Sequence, residues 1–394
     1  MDERNVIDHG ILSKELLLLL ALLAADKVDE VADRQSEMFA DIDWKQFMRL
    51  AMHHRVYPFL YPKLSRMREG RIPSELVQWL KQEYCKNTVQ MLHLSGEMGR
   101  LADKLADAGI PALFLKGPVL AQDLYGDISL RTSRDLDFIV PIGKLAEAEA
   151  LLVRLGYVEE EEFETILGDW KWRQHHKTFH HPGNNIKAEV HWRLNPAPSR
   201  EPDFDELWER RGTSNLLGRN IHYLGPEDLF LFLSAHGARH GWSRLRWLLD
   251  IKQLLLKQPD PGTLTRLLHR YGYDDVGGQA LLLAADLLKA PIDPGLSRLA
   301  ERPKARRLAR LAMFYVGRMV NLHNPPLPPE VERHYRYYQP AILSWGQQLL
   351  YALGFLHPYA ADAKTLPLPR RLHFLYFALR PFLWTWRKAF GEEK

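Results

Sequence analysis

Two aspartates one residue apart carry the most specific chemistry in the sequence. They lie in Arg131-Thr132-Ser133-Arg134-Asp135-Leu136-Asp137-Phe138-Ile139-Val140, where a polar stretch turns apolar. In an extended strand side chains alternate between faces, so Asp135 and Asp137 project together while Leu136 and Phe138 project oppositely. Carboxylates crowded on one face repel unless cations neutralise them, and hard oxygen ligands at this spacing suit Mg²⁺. The alternative is a solvated pair at a strand entrance, with Arg131 and Arg134 as surface ion-pair partners. Upstream, Leu113-Phe114-Leu115 runs into Lys116-Gly117-Pro118, an apolar run that ends with a positive charge at a tight turn.

The histidines offer less. His236 and His240 stand four apart on an expected helix, as two metal ligands would, but Gly237 occupies the place of the glutamate in a His-Glu-x-x-His zinc motif. His175, His176, His180 and His181 cluster in sequence and read as a polar hairpin rather than a metal site.

Positioning these residues requires a sheet, and the pattern supplies one. Short apolar runs at Ile110–Leu115, Leu136–Val140, Lys177–His181 and Ile186–Trp192 read as strands, the last two joined by a Pro182-Gly183-Asn184-Asn185 turn. On the last strand Glu189 and His191 share a face. Before this block, Leu80, Tyr84, Met91, Leu94, Met98, Leu101 and Leu105 follow a helical period that Gly109 stops. After it, helices are expected at 226–237, 244–257, 262–271, 279–288, 303–320, 341–353 and 370–390. The fold class expected is α+β: a helical region 1–108, a small mixed-sheet α/β core 109–224, and a helical region 225–394.

Together, Leu115-Lys116-Gly117, Leu124-Tyr125, Arg131, Arg134-Asp135-Leu136-Asp137, Glu189-Val190-His191-Trp192-Arg193-Leu194 and His236-Gly237-Ala238-Arg239-His240-Gly241-Trp242 resemble an uncharacterised bacterial nucleotidyltransferase family, NTP transferase type 5. That family lies in the superfamily typified by DNA polymerase β, and the resemblance spans most of residues 44–256. It implies a polymerase-β-like core and transfer of a nucleoside monophosphate, AMP by expectation, from an NTP such as ATP to an acceptor hydroxyl. Two Mg²⁺ ions, with Mn²⁺ as the alternative, are the implied cofactors. Residue by residue, it makes Asp135, Asp137 and Glu189 catalytic and metal-binding, Lys116, Gly117, Arg131 and Arg134 nucleotide-binding, and His191 and His240 substrate contacts. Two departures stand out: Glu189 replaces the usual aspartate, and Gly117-Pro118 replaces the superfamily's Gly-Ser. They leave a second reading, a catalytically silent nucleotide-binding or scaffold protein.

Composition narrows the partners. The 394 residues, 46% hydrophobic and 26% charged, exclude a disordered or fibrous chain. A net charge of +4 is too mild for a long nucleic acid, which favours a small-molecule or protein acceptor. The single cysteine, Cys85, removes any disulfide framework and suits a reducing, cytoplasmic setting. Leu16–Ala25 is too short to span a bilayer and reads as a buried helix. The aromatic, basic tail Arg370–Phe390 reads as a core helix of the third region, with a membrane-surface or partner-binding helix as the alternative.

Overall fold

The computed structural model describes residues 9–68, 70–160, 164–322 and 326–390. Glu161 and Glu162 of the acidic run, and Asn324 and Pro325 of a proline-rich connection, lie outside the described residues.

A single seven-stranded mixed sheet forms the centre. Its strands are β1 (Leu113–Phe114), β2 (Asp135–Ile139), β3 (Val158–Glu159), β4 (His176–His181), β5 (Ile186–His191), β6 (Gly212–Leu216) and β7 (Arg219–Tyr223), in the order β3-β4-β5-β2-β1-β7-β6. Strands β2 and β5 run parallel, as do β1 and β7, and the remaining pairs are antiparallel. The α+β class expected from the sequence is the one observed. Strand β3 is unforeseen, and so are β6 and β7. Their hairpin turns at Leu217 and Gly218, both at positive φ (52° and 80°), as a two-residue turn between right-twisted strands needs. Gly212-Thr213-Ser214-Asn215 is too polar to read as a strand on its own.

The two sheet faces meet different layers. Phe114, Leu136, Phe138, Phe179, Ala188 and Val190 face one way into an apolar cluster. The 34-residue helix Ser74–Asp107 covers it with Met91, Leu94, Met98, Leu101 and Leu105, alternately three and four apart and all buried. The helix ends where Gly109 takes φ 66° and Ile110 N–H bonds Leu105 O at 2.9 Å, a left-handed cap only glycine adopts without cost. The helix Leu145–Arg154 adds Ala148, Leu151 and Leu152.

The opposite face carries Asp135, Asp137, Glu189 and His191, with Leu113, Leu115 and Ile139 joining a larger core. That core unites helices from both ends of the chain: Lys14–Ala24, Pro226–Arg239, Leu245–Leu256, Asp274–Leu288 and Pro303–Val316. The leucine-rich N-terminal helix is buried as expected. The tail departs from expectation. It is not a core helix: Tyr376–Phe390 buries only Tyr376, Arg380 and Leu383 and leaves most of its aromatics in the open.

Candidate active site

Register builds the site. In the parallel pairing of β2 with β5, Asp137 lies directly beside Glu189 and Ile139 beside His191; across the next pairing His176 lies beside His191. Asp137, Glu189 and His191 therefore converge on one face, each offering an atom within 4.8 Å of the others. His191 Nε2 stands 3.5 Å from both Asp137 Oδ1 and Glu189 Oε2. Lys116, delivered by the end of β1, places its ammonium 2.9 Å from Asp137 Oδ1. Asp137 is completely buried, and neither of its oxygens has a well-directed hydrogen bond. Asp135 shares the face, but the three carboxylates do not all approach within 4.8 Å.

The charges hold one another. Burial would raise the Glu189 carboxyl, yet His191, Lys116 and His176 together hold it down at about 2. Burial works against the Lys116 ammonium, and Asp137, Asp135 and Glu189 more than offset it. His191 Nδ1 lies 3.3 Å from Arg193 O, and a carbonyl only accepts, so Nδ1 is the donor. Nε2 thus faces two carboxylates, either as a proton shared toward them or as a lone pair for a cation. Burial and the two carboxylates pull oppositely on this ring, and the carboxylates win, raising its pKa. His175 and His176 stand at the same place, with His176 lowered to about 4 chiefly by burial. The histidines read as a polar hairpin divide: His175 and His176 enter the site, whereas His180 and His181 serve the hairpin, bonding Asn185 and the Gly183 amide.

Gly117 forms the turn between β1 and the helix Pro118–Tyr125. Its φ of 89° and ψ of −153° fall in a region open essentially to glycine alone, and a Cβ there would stand 3.0 Å from Met98 Cε.

Arg131 is a correction. Expected on the nucleotide, it is 1% exposed and clamps Asp250, Nε to Oδ1 at 2.9 Å and Nη2 to Oδ2 at 3.0 Å; Tyr125 Oη donates to the same Oδ1 at 2.7 Å. The pair ties the loop before β2 to the helix Leu245–Leu256, so Arg131 positions β2. Arg134 is exposed at the mouth, as a ligand-binding residue requires.

Three further arginines stand nearby: Arg244, which the family resemblance places over the site, Arg55, which reads from the sequence as part of a polar edge, and Arg246, which carries no sequence signal. Arg55 sits in a left-handed turn (φ 56°), Arg244 Nη1 is 2.8 Å from His53 Nδ1, and Arg246 Nη1 donates to Thr132 Oγ1 at 3.2 Å. The bonds from Arg244 and Arg246 tie the start of the helix Leu245–Leu256 to His53 and to the loop before β2. Among the described residues none of Arg55, Arg134, Arg244 and Arg246 forms a salt bridge, and the Arg246 Nε is buried without a partner. Burial chiefly, and then neighbouring arginines, lower Arg244 to about 10 and Arg246 to about 9. No sequence motif joins positions 55, 134, 244 and 246.

His236 and His240 form no metal group among the described residues. His240 stacks on Trp247 at 5.3 Å and meets the His236 ring at 4.6 Å with the planes tilted by 58°. It also borders a cavity of about 660 Å³ lined by Arg239, Tyr273, Tyr335, Gln339 and Tyr351. None of Lys116, Asp135, Asp137, Glu189 and His191 lines this cavity.

Comparison with known proteins follows the same line. A family model described as uncharacterised nucleotidyltransferase matches residues 40–289. No curated protein matches the sequence. Similar solved structures include the antibiotic-resistance factor ANT(2'')-Ia, 12% identical over 47% of this chain and 91% of its own, with a TM-score of 0.33. Another is an antigenic nucleotidyltransferase-like protein from Paracoccidioides brasiliensis, 18% identical over 51% of this chain and 94% of its own, with a TM-score of 0.29. With the family model covering more than half of its length, the chain belongs to this family of uncharacterised nucleotidyltransferases.

Proposed function

We propose that the chain is an active enzyme that moves AMP from ATP to a hydroxyl of a small-molecule acceptor, using divalent cations, Mg²⁺ or Mn²⁺. The observation that carries this reading is the buried Asp137 carboxylate, set beside Glu189 and His191 with both oxygens lacking directed hydrogen bonds. Lys116 offsets one negative charge of a cluster that also holds Asp135 and Glu189, so a further cation is favoured there, and the donor set of carboxylates plus one imidazole fits Mg²⁺ and fits Mn²⁺ better. Asp135, Asp137 and Glu189 would hold the ions, with Nε2 of His191 as a further ligand. Bound cations supply Lewis acidity at the attacking hydroxyl and at the departing pyrophosphate.

The protein's own groups do the rest. Glu189, held near 2, stays ionised and suits a ligand rather than a proton acceptor. Lys116 fixes Asp137 and supplies positive charge at the Gly117 turn, where a phosphate can approach the glycine backbone closely. Arg55, Arg134, Arg244 and Arg246 provide a positive wall for the triphosphate next to Asp135. The cavity at Arg239 supports a small molecule over a protein as acceptor, since its volume suits a compact ligand. A cytoplasmic setting belongs to the same proposal and is supported by the lone Cys85.

The test is transfer of label from α-labelled ATP, with pyrophosphate release, across a panel of small hydroxyl compounds in Mg²⁺ or Mn²⁺. Transfer lost in Asp137→Asn supports the reading. A wild type that binds ATP with either metal yet labels neither small molecules nor protein favours the scaffold reading.

A further inference from the structure

Three elements near the C-terminus are built the reverse of a water-facing surface. In the helix Tyr376–Phe390, Arg380 and Arg387 turn inward and bond the buried Asp362 at 2.8 and 2.7 Å. Phe382, Trp384, Trp386 and Phe390 turn outward, Phe382 with 74% of its surface exposed. The helix Trp345–Gly354 buries one residue, the polar Gln347, and exposes Trp345, Leu349, Leu350 and Leu353. The short segment Arg370–Leu375 buries none and exposes Leu372, Phe374 and Leu375. The pieces are continuous: Arg380 Nε donates to Phe355 O, and the His357 ring meets Phe377 at 5.2 Å. A water-facing helix puts apolar residues in and charges out, and monomers seldom show apolar patches beyond a few hundred Å².

Charge identifies what covers the surface. Residues 341–390 hold six Lys or Arg and one acidic residue, Asp362, which Arg380 and Arg387 already occupy. Lys364 is exposed but pairs with Glu164; the exposed cations left for a partner are Arg370, Arg371 and Lys388, the last lying 5.0 Å from the centre of the Trp384 ring. A second copy of the same surface would bring like charges together. Tryptophan and phenylalanine interleaved with basic side chains match the headgroup region of an anionic bilayer. Among the described residues no helix is long and apolar enough to cross a membrane, so the contact is one of surface.

We propose that residues 345–390 dock on an anionic lipid bilayer. The aromatic side chains enter the headgroup boundary, and Arg370, Arg371 and Lys388 meet lipid phosphates. This holds whether or not the chain transfers nucleotides.

The test sediments the full chain with phosphatidylcholine vesicles, with and without phosphatidylglycerol, while following tryptophan emission. The wild type should pellet with the anionic vesicles and its emission should shift to the blue. At about fivefold per basic residue, Arg370→Glu with Arg371→Glu should weaken partitioning on the order of 25-fold or more. Phe382→Ser with Trp386→Ser should weaken it and remove the blue shift; all four positions are exposed, and circular dichroism checks the fold. A wild type left in solution by both vesicles overturns the proposal. So does partitioning unchanged in both variants, or a dimer in light scattering that Phe382→Ser with Trp386→Ser dissociates.

Discussion

Replacing Arg131 by methionine should cost stability rather than nucleotide affinity. The guanidinium and its Asp250 partner are 1% and 0% exposed and share two hydrogen bonds at 2.9 and 3.0 Å. Breaking such a pair by removing one side costs about 3–5 kcal/mol, because the remaining charge is buried without compensation. Two charge-assisted bonds at about 1.5–3 kcal/mol each give a similar figure. The Tyr125 hydroxyl remains on Asp250, which places the expectation near the lower end, about 3 kcal/mol. Urea unfolding followed by tryptophan fluorescence measures it. Adding Asp250→Leu should return much of the loss, since an apolar pair of like volume tolerates the site better than a lone carboxylate. A loss below about 1 kcal/mol together with a tenfold drop in ATP affinity would refute the reasoning and return Arg131 to the nucleotide.

Other expectations follow from the site. Glu189→Asp, which keeps the carboxylate one methylene shorter, should keep measurable transfer, whereas Glu189→Gln should lose on the order of 100-fold, comparable to removing a transition-state ligand; steady-state rates with a competent acceptor decide. Gly117→Ala should cost about 1–3 kcal/mol because φ 89° with ψ −153° excludes a Cβ, and more than Gly126→Ala, where φ is 73° and no atom lies within 4 Å; denaturant titration of both compares them. Arg55→Gln should weaken ATP binding about tenfold, the worth of one charge-assisted contact, without changing the fold, as calorimetry with circular dichroism would show.

The site was more legible in the sequence than the scaffold around it. Strand alternation alone places Asp135 with Asp137, and Glu189 with His191, and parallel pairing sets the two pairs side by side. The helix Ser74–Asp107 was readable because its apolar stripe keeps one period for four turns. What the sequence hid depends on distant partners. Arg131 beside two aspartates reads as a phosphate ligand until Asp250 arrives from 119 residues away. The four-arginine wall comes from two loops, at Arg55 and Arg134, and from the start of the helix Leu245–Leu256, with no shared motif. The tail misled for a physical reason: its periodicity is that of a core helix, but the stripe that turns inward contains Arg380 and Arg387 rather than the tryptophans.

The most direct test of the central claim, that Asp137, Glu189 and His191 form a divalent-cation site for a nucleotide, is calorimetric titration of ATP with Mn²⁺, with Mg²⁺ and with EDTA, on wild type and Asp137→Asn. Binding should require the cation, be tighter with Mn²⁺, and disappear in the variant while its melting transition persists. ATP binding equal in EDTA, or unchanged in Asp137→Asn, would contradict it.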